Sequence, residues 1–318
     1  MTEGADLSTP RGLRHQASVL ADPFPALMAA ARHLAAAVQT GGHGRRRAGP
    51  GAEFWQYRAA VPGDEARRID HRRSARSDQA FVREQEWQAV QPVQIWADAA
   101  ASMSYRSAAR LPQKAERARL LAMALAILLE RGGERIGLTD GSLPPRSGPA
   151  QLTRLAEALA GRAMRATPGA DDFGTPAARA LLPGAWALFL SDFFAGWPAI
   201  EATVLAAADR GVIGILLQVL DPEEEEFRFS GRAIFESMTG ALRHETAEAA
   251  GIQGRYRAAL AVRRDQLAHL ARTTGWRFAC HRTDQPAQAT LLWLHQAMGQ
   301  NGGQNRGQTL GQTPGQWT

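Results

Sequence analysis

Cysteine is almost missing from this chain: one of its 318 residues, Cys280, carries a thiol. A single cysteine excludes an internal disulfide framework and any cysteine-based zinc cluster, and it suits a reducing compartment. Lysine is as scarce. Lys114 stands alone among arginines, and the formal charge is +6. No apolar run approaches the roughly 20 residues that span a bilayer; the longest, Leu120 to Leu129, has the length of a core helix. The opening MTEGADLSTPRG lacks the basic-then-apolar layout of a secretory signal. A cytoplasmic protein without a membrane span is the expectation. No Gly-rich phosphate loop follows any apolar run, since Gly211 and Gly214 fall at and inside a strand pattern. The eight histidines make no metal pair at helical spacing, and no serine sits in a nucleophile-elbow sequence. His71, among arginines, is read as a surface or interface residue and His281 as structural.

What is present is enough apolar residue, 45%, against 21% charged, to bury a sizeable core. Residues 1–22 lack periodicity and read as a mobile arm. Phe24 to Val38 has helical spacing, and 23–91 joins this helix to a segment of different character. Within it Glu53 to Ala60 and Gln79 to Trp87 alternate as strands around the turn Pro62-Gly63-Asp64. From 92 to 298 strands and helices alternate. Strands are expected at Val93–Asp98, Arg135–Thr139, Ala185–Ser191, Val212–Leu220 and Trp276–Cys280. Helices are expected at Gln113–Arg131, Pro149–Met164, Thr175–Leu182, Pro198–Arg210, Gly254–Thr274 and Pro286–Met298. Such alternation implies an α/β fold, a mainly parallel sheet covered on both faces. Residues 299–318 are a low-complexity Gly/Gln tail, expected to be disordered.

The centre of this pattern is VQIWADAAASMSY, Val93 to Tyr105. An apolar strand runs into a small, polar loop, and open α/β sheets place ligands at such strand ends. Asp98, Ser102 and Ser104 form a hard-oxygen set suited to Mg²⁺ or Mn²⁺. The plainer alternative is that Asp98 caps the following turn. The arginines cluster at Arg45–Arg47 and at Arg67, Arg68, Arg72, Arg73 and Arg76, against one acidic run, Glu223 to Glu226. No nucleic-acid motif organises the aromatics beside them, so nucleic acid is not the expected partner.

The stretch GPGAEFWQYRAAVPGDEARRIDHRRSARSDQAFVRE resembles the signature of the domain-of-unknown-function 58 family. The pattern falls on Gly51, Glu53, Phe54, Arg58, Pro62, Gly63, Asp64, Arg67, Ile69, Asp70, Ser74, Ala75 and Arg76, with Ala60 and His71 in place of the usual aromatic and Trp. The loop at Asp98, LSDFF at Asp192, VLDPEEEEFRFSG, Tyr256 and HRTDQP at Asp284 follow in order, so the resemblance covers about 40–298. It implies a von Willebrand factor A-like, Rossmann-like domain with a metal-ion-dependent adhesion site. Asp98, Ser102 and Asp192 match that site. Ala100 stands in place of its first serine and Ala170 in place of its threonine, with Asp171 beside it as a substitute. The implied site is degenerate: no tightly bound cofactor, and at most weak Mg²⁺ or Mn²⁺ completed by water.

The resemblance further implies a non-enzymatic interaction protein that works with a MoxR-type AAA+ ATPase on an unknown client. Arg67, Arg68, Asp70, Arg72, Arg73 and Arg76 are the candidate partner contacts. They serve equally well as an internal scaffold of ion pairs. Two other readings stand beside this one. The first is a metal-dependent hydrolase using Asp98, Asp171, Asp172 and Asp192, although no base or lysine is expected beside those loops. The second is a nucleic-acid-binding module.

Overall fold

The computed structural model describes residues 23–39, 54–61, 69–75, 79–85, 91–164 and 171–300. Along the chain come α1 (Pro23–Gln39), β1 (Phe54–Ala59), α2 (His71–Ser74), β2 (Phe81–Gln85), β3 (Pro92–Ala97) and α3 (Lys114–Arg131). Next are β4 (Arg135–Leu138), α4 (Pro149–Met164), β5 (Trp186–Ser191), α5 (Trp197–Ala208), β6 (Ile213–Leu220) and α6 (Pro222–Glu226). A hairpin, β7 (Ala233–Glu236) with β8 (Arg243–Thr246), precedes α7 (Ala250–Thr274), β9 (Arg277–Arg282) and α8 (Ala287–Gln300). The chain divides into two compact units, Gly41–Gln91 and the remainder.

In the larger unit the apolar runs pair as expected. Five strands form one sheet in the order β4-β3-β5-β6-β9, every pair parallel. Counted among these five alone, the order is second, first, third, fourth, fifth. This is a doubly wound, Rossmann-like arrangement whose switch point lies between β3 and β5. Alternate side chains along β5 enter different cores. Trp186, Leu188 and Leu190 join a cluster with residues of α1, α3, α4 and α8. Ala187 and Phe189 join another with residues of α5 and α7. A strand buried on both faces must be apolar at every position, which is why it reads as an unbroken run. α1 belongs to this unit, where Ala31, Leu34 and Ala35 are core residues. α3 is buried without a break from Leu121 to Leu129. It opens on a capping box between Gln113 and Glu116 and closes at Gly132. Among the described residues no helix is long and apolar enough to cross a membrane.

The smaller unit is an antiparallel pair, β1 with β2, and the one-turn α2. Both strands were expected there. The turn at 62–68 lies outside the described residues, as do the arm at 1–22 and everything beyond Gln300.

One expectation fails. Thr175–Leu182 is a loop, not a helix. Its main-chain groups find tertiary partners instead of helical ones. The Gln94 amide donates to the Ala180 carbonyl at 2.8 Å and accepts from the Leu182 N–H at 2.7 Å. The Arg210 guanidinium donates to the carbonyls of Ala178 and Leu181. A buried glutamine on β3 thus reshapes a segment whose composition favours helix. The β7–β8 hairpin was not anticipated, although Ala233–Glu236 and Arg243–Thr246 flank a turn with Gly240 at φ 77°.

Gly214 is required for close approach and not for phosphate. A Cβ there would lie 2.6 Å from the Ala187 carbonyl oxygen and 2.8 Å from the Trp276 ring. Trp276 cannot withdraw freely, because its indole N–H donates to the Val212 carbonyl at 2.9 Å. Gly214→Val is therefore expected to destabilise the fold by about 1–3 kcal/mol, as overpacking does. Urea unfolding should show a lower midpoint at unchanged slope; an unchanged midpoint would contradict the packing described.

Candidate site at the carboxyl edge of the sheet

The two strands flanking the switch point each end in an aspartate. β3 and β5 are parallel neighbours with Ala97 beside Leu190, so Asp98 and Asp192 leave the sheet on the same edge. The Asp98 N–H donates to the Leu190 carbonyl at 2.9 Å. Both carboxylates are buried, at 2% and 0% exposure. Water therefore cannot solvate them, and each must find donors within the protein.

Each carboxylate has them. Asp98 accepts the Ser191 hydroxyl at 2.7 Å and the Ala100 N–H at 2.9 Å. Ser191 in turn accepts the Phe193 N–H at 2.9 Å. The backbone of Gly174 packs against the Asp98 carboxylate so closely that a Cβ would collide with it. Asp192 accepts the Ser102 hydroxyl at 2.6 Å and the Phe194 N–H at 3.0 Å. Its main-chain carbonyl accepts the Gln218 amide at 3.0 Å.

The strongest donor to Asp192 is one the sequence reading did not place here. Lys114, the first residue of α3, is fully buried, with Nζ 2.9 Å from Asp192 Oδ2 and 2.6 Å from Glu224 Oε1. The expectation that no lysine stands beside these loops is thus overturned. An ammonium at a helix N-terminus opposes the helix dipole, so only the two acids make this burial tolerable. The ring centroid of Phe194 lies 5.2 Å from Nζ, within cation–π range. Burial is the largest influence and pulls the lysine down, but Asp192 and Glu224 outweigh it and the net shift is upward. Burial also pushes Glu224 up, and Lys114 pulls it back only in part. Both directions keep a proton within the pair, and the lysine amine, by far the stronger base, holds it. The signal available in the sequence was scarcity: a chain that uses arginine elsewhere keeps lysine at one position.

Glu224 is delivered by α6, a helix of five residues. Asp221 caps it, accepting the Glu223 N–H at 2.9 Å, while Glu224 returns its second oxygen to the Asp221 N–H at 3.0 Å. The rest of the acidic run is also paired. Glu223 meets Arg228, Glu225 meets Arg264 and Arg282, and Glu226 meets Arg228 and Arg282. Among the described residues two non-glycine residues have positive φ, Phe193 at 54° and Phe227 at 45°. They directly follow Asp192 and end α6, so backbone strain is concentrated beside the two acids that hold Lys114. Arg263 supports the first of these bends by donating to the Phe193 carbonyl at 2.5 Å and the Ala195 carbonyl at 2.8 Å.

Of the other candidates, Asp171 has an exposed side chain, and its main-chain carbonyl accepts the Ala101 N–H at 3.2 Å. Asp172 uses its carbonyl to hold the Ser102 N–H at 2.9 Å and its carboxylate to hold the Thr239 N–H at 3.0 Å. That second bond ties the β7–β8 turn to the loop above the site. The four-aspartate set of the hydrolase reading is not gathered: among the described residues, no three His, Cys, Asp or Glu side chains are grouped to hold a metal. His281 is buried beside Arg117 at 3.2 Å and Thr290 at 2.8 Å. Burial and the arginine charge lower its pKa to about 4. In the smaller unit Asp70 and Arg72 are described. Nothing is described of Arg67, Arg68 and Arg76, nor of the Arg73 side chain.

Burial, reinforced by the Asp192 charge, pushes the Asp98 carboxyl from 3.8 to about 6; the Ala100 N–H and Ser191 hydroxyl offset only part of this. The folded chain therefore binds this proton more tightly than the unfolded chain. Stability from this group is greatest below about pH 4 and is lost as pH rises through 6, by about 3 kcal/mol for two units. Asp98→Asn should remove that limb. Unfolding free energies from pH 4 to 7 should show the variant gaining on the wild type as pH rises, and parallel profiles would refute the assignment.

No curated protein and no solved structure gives a significant match to this chain. A family model does match, over residues 56–266, which is more than half of the sequence. The match runs from β1 into α7 and takes in Asp98, Lys114, Asp192 and Glu224 as well as the segment around α2. The chain belongs to the family described as protein of unknown function DUF58.

Proposed function

We propose that this chain is a non-enzymatic interaction protein of the cytoplasm that cooperates with a MoxR-type AAA+ ATPase in assembling or activating a client complex. The core is read as von Willebrand factor A-like. Its doubly wound order, with an aspartate ending each strand at the switch point, supports that reading.

The observation that carries the proposal is a division of labour within the signature segment. Its backbone is stitched internally. The Ser74 hydroxyl donates to the Asp70 carbonyl at 2.8 Å and accepts the Phe81 N–H at 2.8 Å. The Asp70 N–H donates to the Phe81 carbonyl at 2.8 Å, and Ile69 bridges Val82. These contacts hold α2 against β2, while Arg72 on that turn is exposed. The backbone that carries Arg72 is thus fixed, and its exposed guanidinium suits bidentate contact with carboxylates on a partner. The partner face is accordingly acidic.

Arg72→Glu with Arg73→Glu should abolish co-purification with the AAA+ ATPase while leaving the fold intact. A protein that unfolds would make these arginines scaffold. A folded protein that still binds would place the interface elsewhere.

A further inference from the structure

We propose that the Lys114 ammonium is the resident cation of the strand-end site, and that the site refuses divalent metal for as long as this lysine is present. The inference stands whichever partner the protein has, because it concerns the occupancy of Asp192 alone.

The family resemblance implies a Mg²⁺ or Mn²⁺ site at Asp98, Ser102 and Asp192, with Asp171 as a substitute ligand. The donors present do not fit such an ion. Asp192 Oδ2, the oxygen nearest a cation, already accepts Ser102 Oγ at 2.6 Å and Lys114 Nζ at 2.9 Å. Its other oxygen accepts the Phe194 N–H at 3.0 Å. Both oxygens of Asp98 are engaged, by Ser191 and Ala100, with Gly174 closed over them. Asp171 turns its carboxylate to solvent. Mg²⁺ requires about six oxygens at roughly 2.0–2.1 Å in near-octahedral array, and this cluster offers no such shell.

The same donors do fit an ammonium. Lys114 Nζ has three protons and no lone pair. Two of them are donated to Asp192 and Glu224, with Nζ 2.9 Å and 2.6 Å from the accepting oxygens, and the Phe194 ring flanks the group. These are hydrogen-bond lengths rather than coordination lengths. A divalent ion brought to Asp192 would also face the ammonium at short range in a dry site, where like charges repel strongly. Arginine would not serve, since its planar fork is too broad to replace a point charge at this spot. The hydroxyls missing at Ala100 and Ala170 are therefore not what keeps metal out. Restoring them with Lys114 in place should leave metal affinity unchanged.

The test uses the full-length protein with Mn²⁺, titrated by electron paramagnetic resonance, alongside thermal midpoints in EDTA, Mg²⁺ and Mn²⁺. The wild type should show no bound Mn²⁺ at millimolar concentration and no shift of midpoint with either ion. Lys114→Ala should have a lower midpoint in EDTA that Mn²⁺ raises saturably, with affinity at least ten-fold above wild type. Adding Asp192→Asn should abolish that gain. Because Lys114→Ala leaves two buried acids unbalanced, Lys114→Ser with Glu224→Gln supplies a second background, keeping Asp98, Ser102 and Asp192 at reduced charge. It too should bind Mn²⁺. Tight Mn²⁺ binding by the wild type would overturn the proposal, and so would a folded lysine-free variant that gains no affinity.

Discussion

The buried Lys114 ammonium cannot exist without Asp192 and Glu224, and much of the carboxyl edge of the sheet depends on that requirement. An ion pair sealed from water contributes little net stability, yet removing one partner costs about 3–5 kcal/mol because the remaining charge is left stranded. The three groups must therefore arrive together. Lys114 comes from the start of α3, Asp192 from the end of β5 and Glu224 from α6. Residues 78 and 110 positions apart in sequence are thereby forced into one register, which constrains how the strands and helices that carry them settle against each other.

The strain in the molecule lies where this constraint acts. Phe193 and Phe227 both adopt left-handed backbone conformations, and both side chains are buried. Burying an aromatic ring, worth roughly 1.5–3 kcal/mol, offsets the roughly 1–3 kcal/mol that such a conformation costs, so the bends persist. Phe227 also stacks with Phe235 and Tyr256, joining α6 to the β7–β8 hairpin and α7. The acidic run that opens α6 is thus the inner face of a network of arginines and not a free anionic surface. Asp98 completes the picture by the opposite route. Lacking a cation of its own, it is served by neutral donors and holds its proton more tightly than an ordinary carboxyl.

The signature segment shows the same economy of polar groups on a smaller scale. Ser74 and the main chain of Asp70 fasten one helical turn to a strand. The motif that identifies the family is in this part a stitching pattern, and the surface it presents is a consequence of the stitching.

By itself the sequence determined the layered α/β architecture. Runs such as AWALFLS and VIGILLQVL admit no exposed face, and alternation with helical segments leaves a parallel sheet as the arrangement that buries them. It also placed Asp98 and Asp192 at strand ends, because a carboxylate terminates an apolar run wherever it stands. The loop at Thr175–Leu182 was beyond such reasoning, since its shape is dictated by Gln94 and Arg210, distant in sequence and invisible to local propensity. So was the character of the site. One lysine among 37 basic residues is legible as an oddity, but its role follows only from where α3 begins relative to β5 and α6. Local pattern reports which residues must be buried. Only the tertiary structure decides which buried charge faces which, because that choice is made by long-range packing and the high cost of leaving any one of them unpaired.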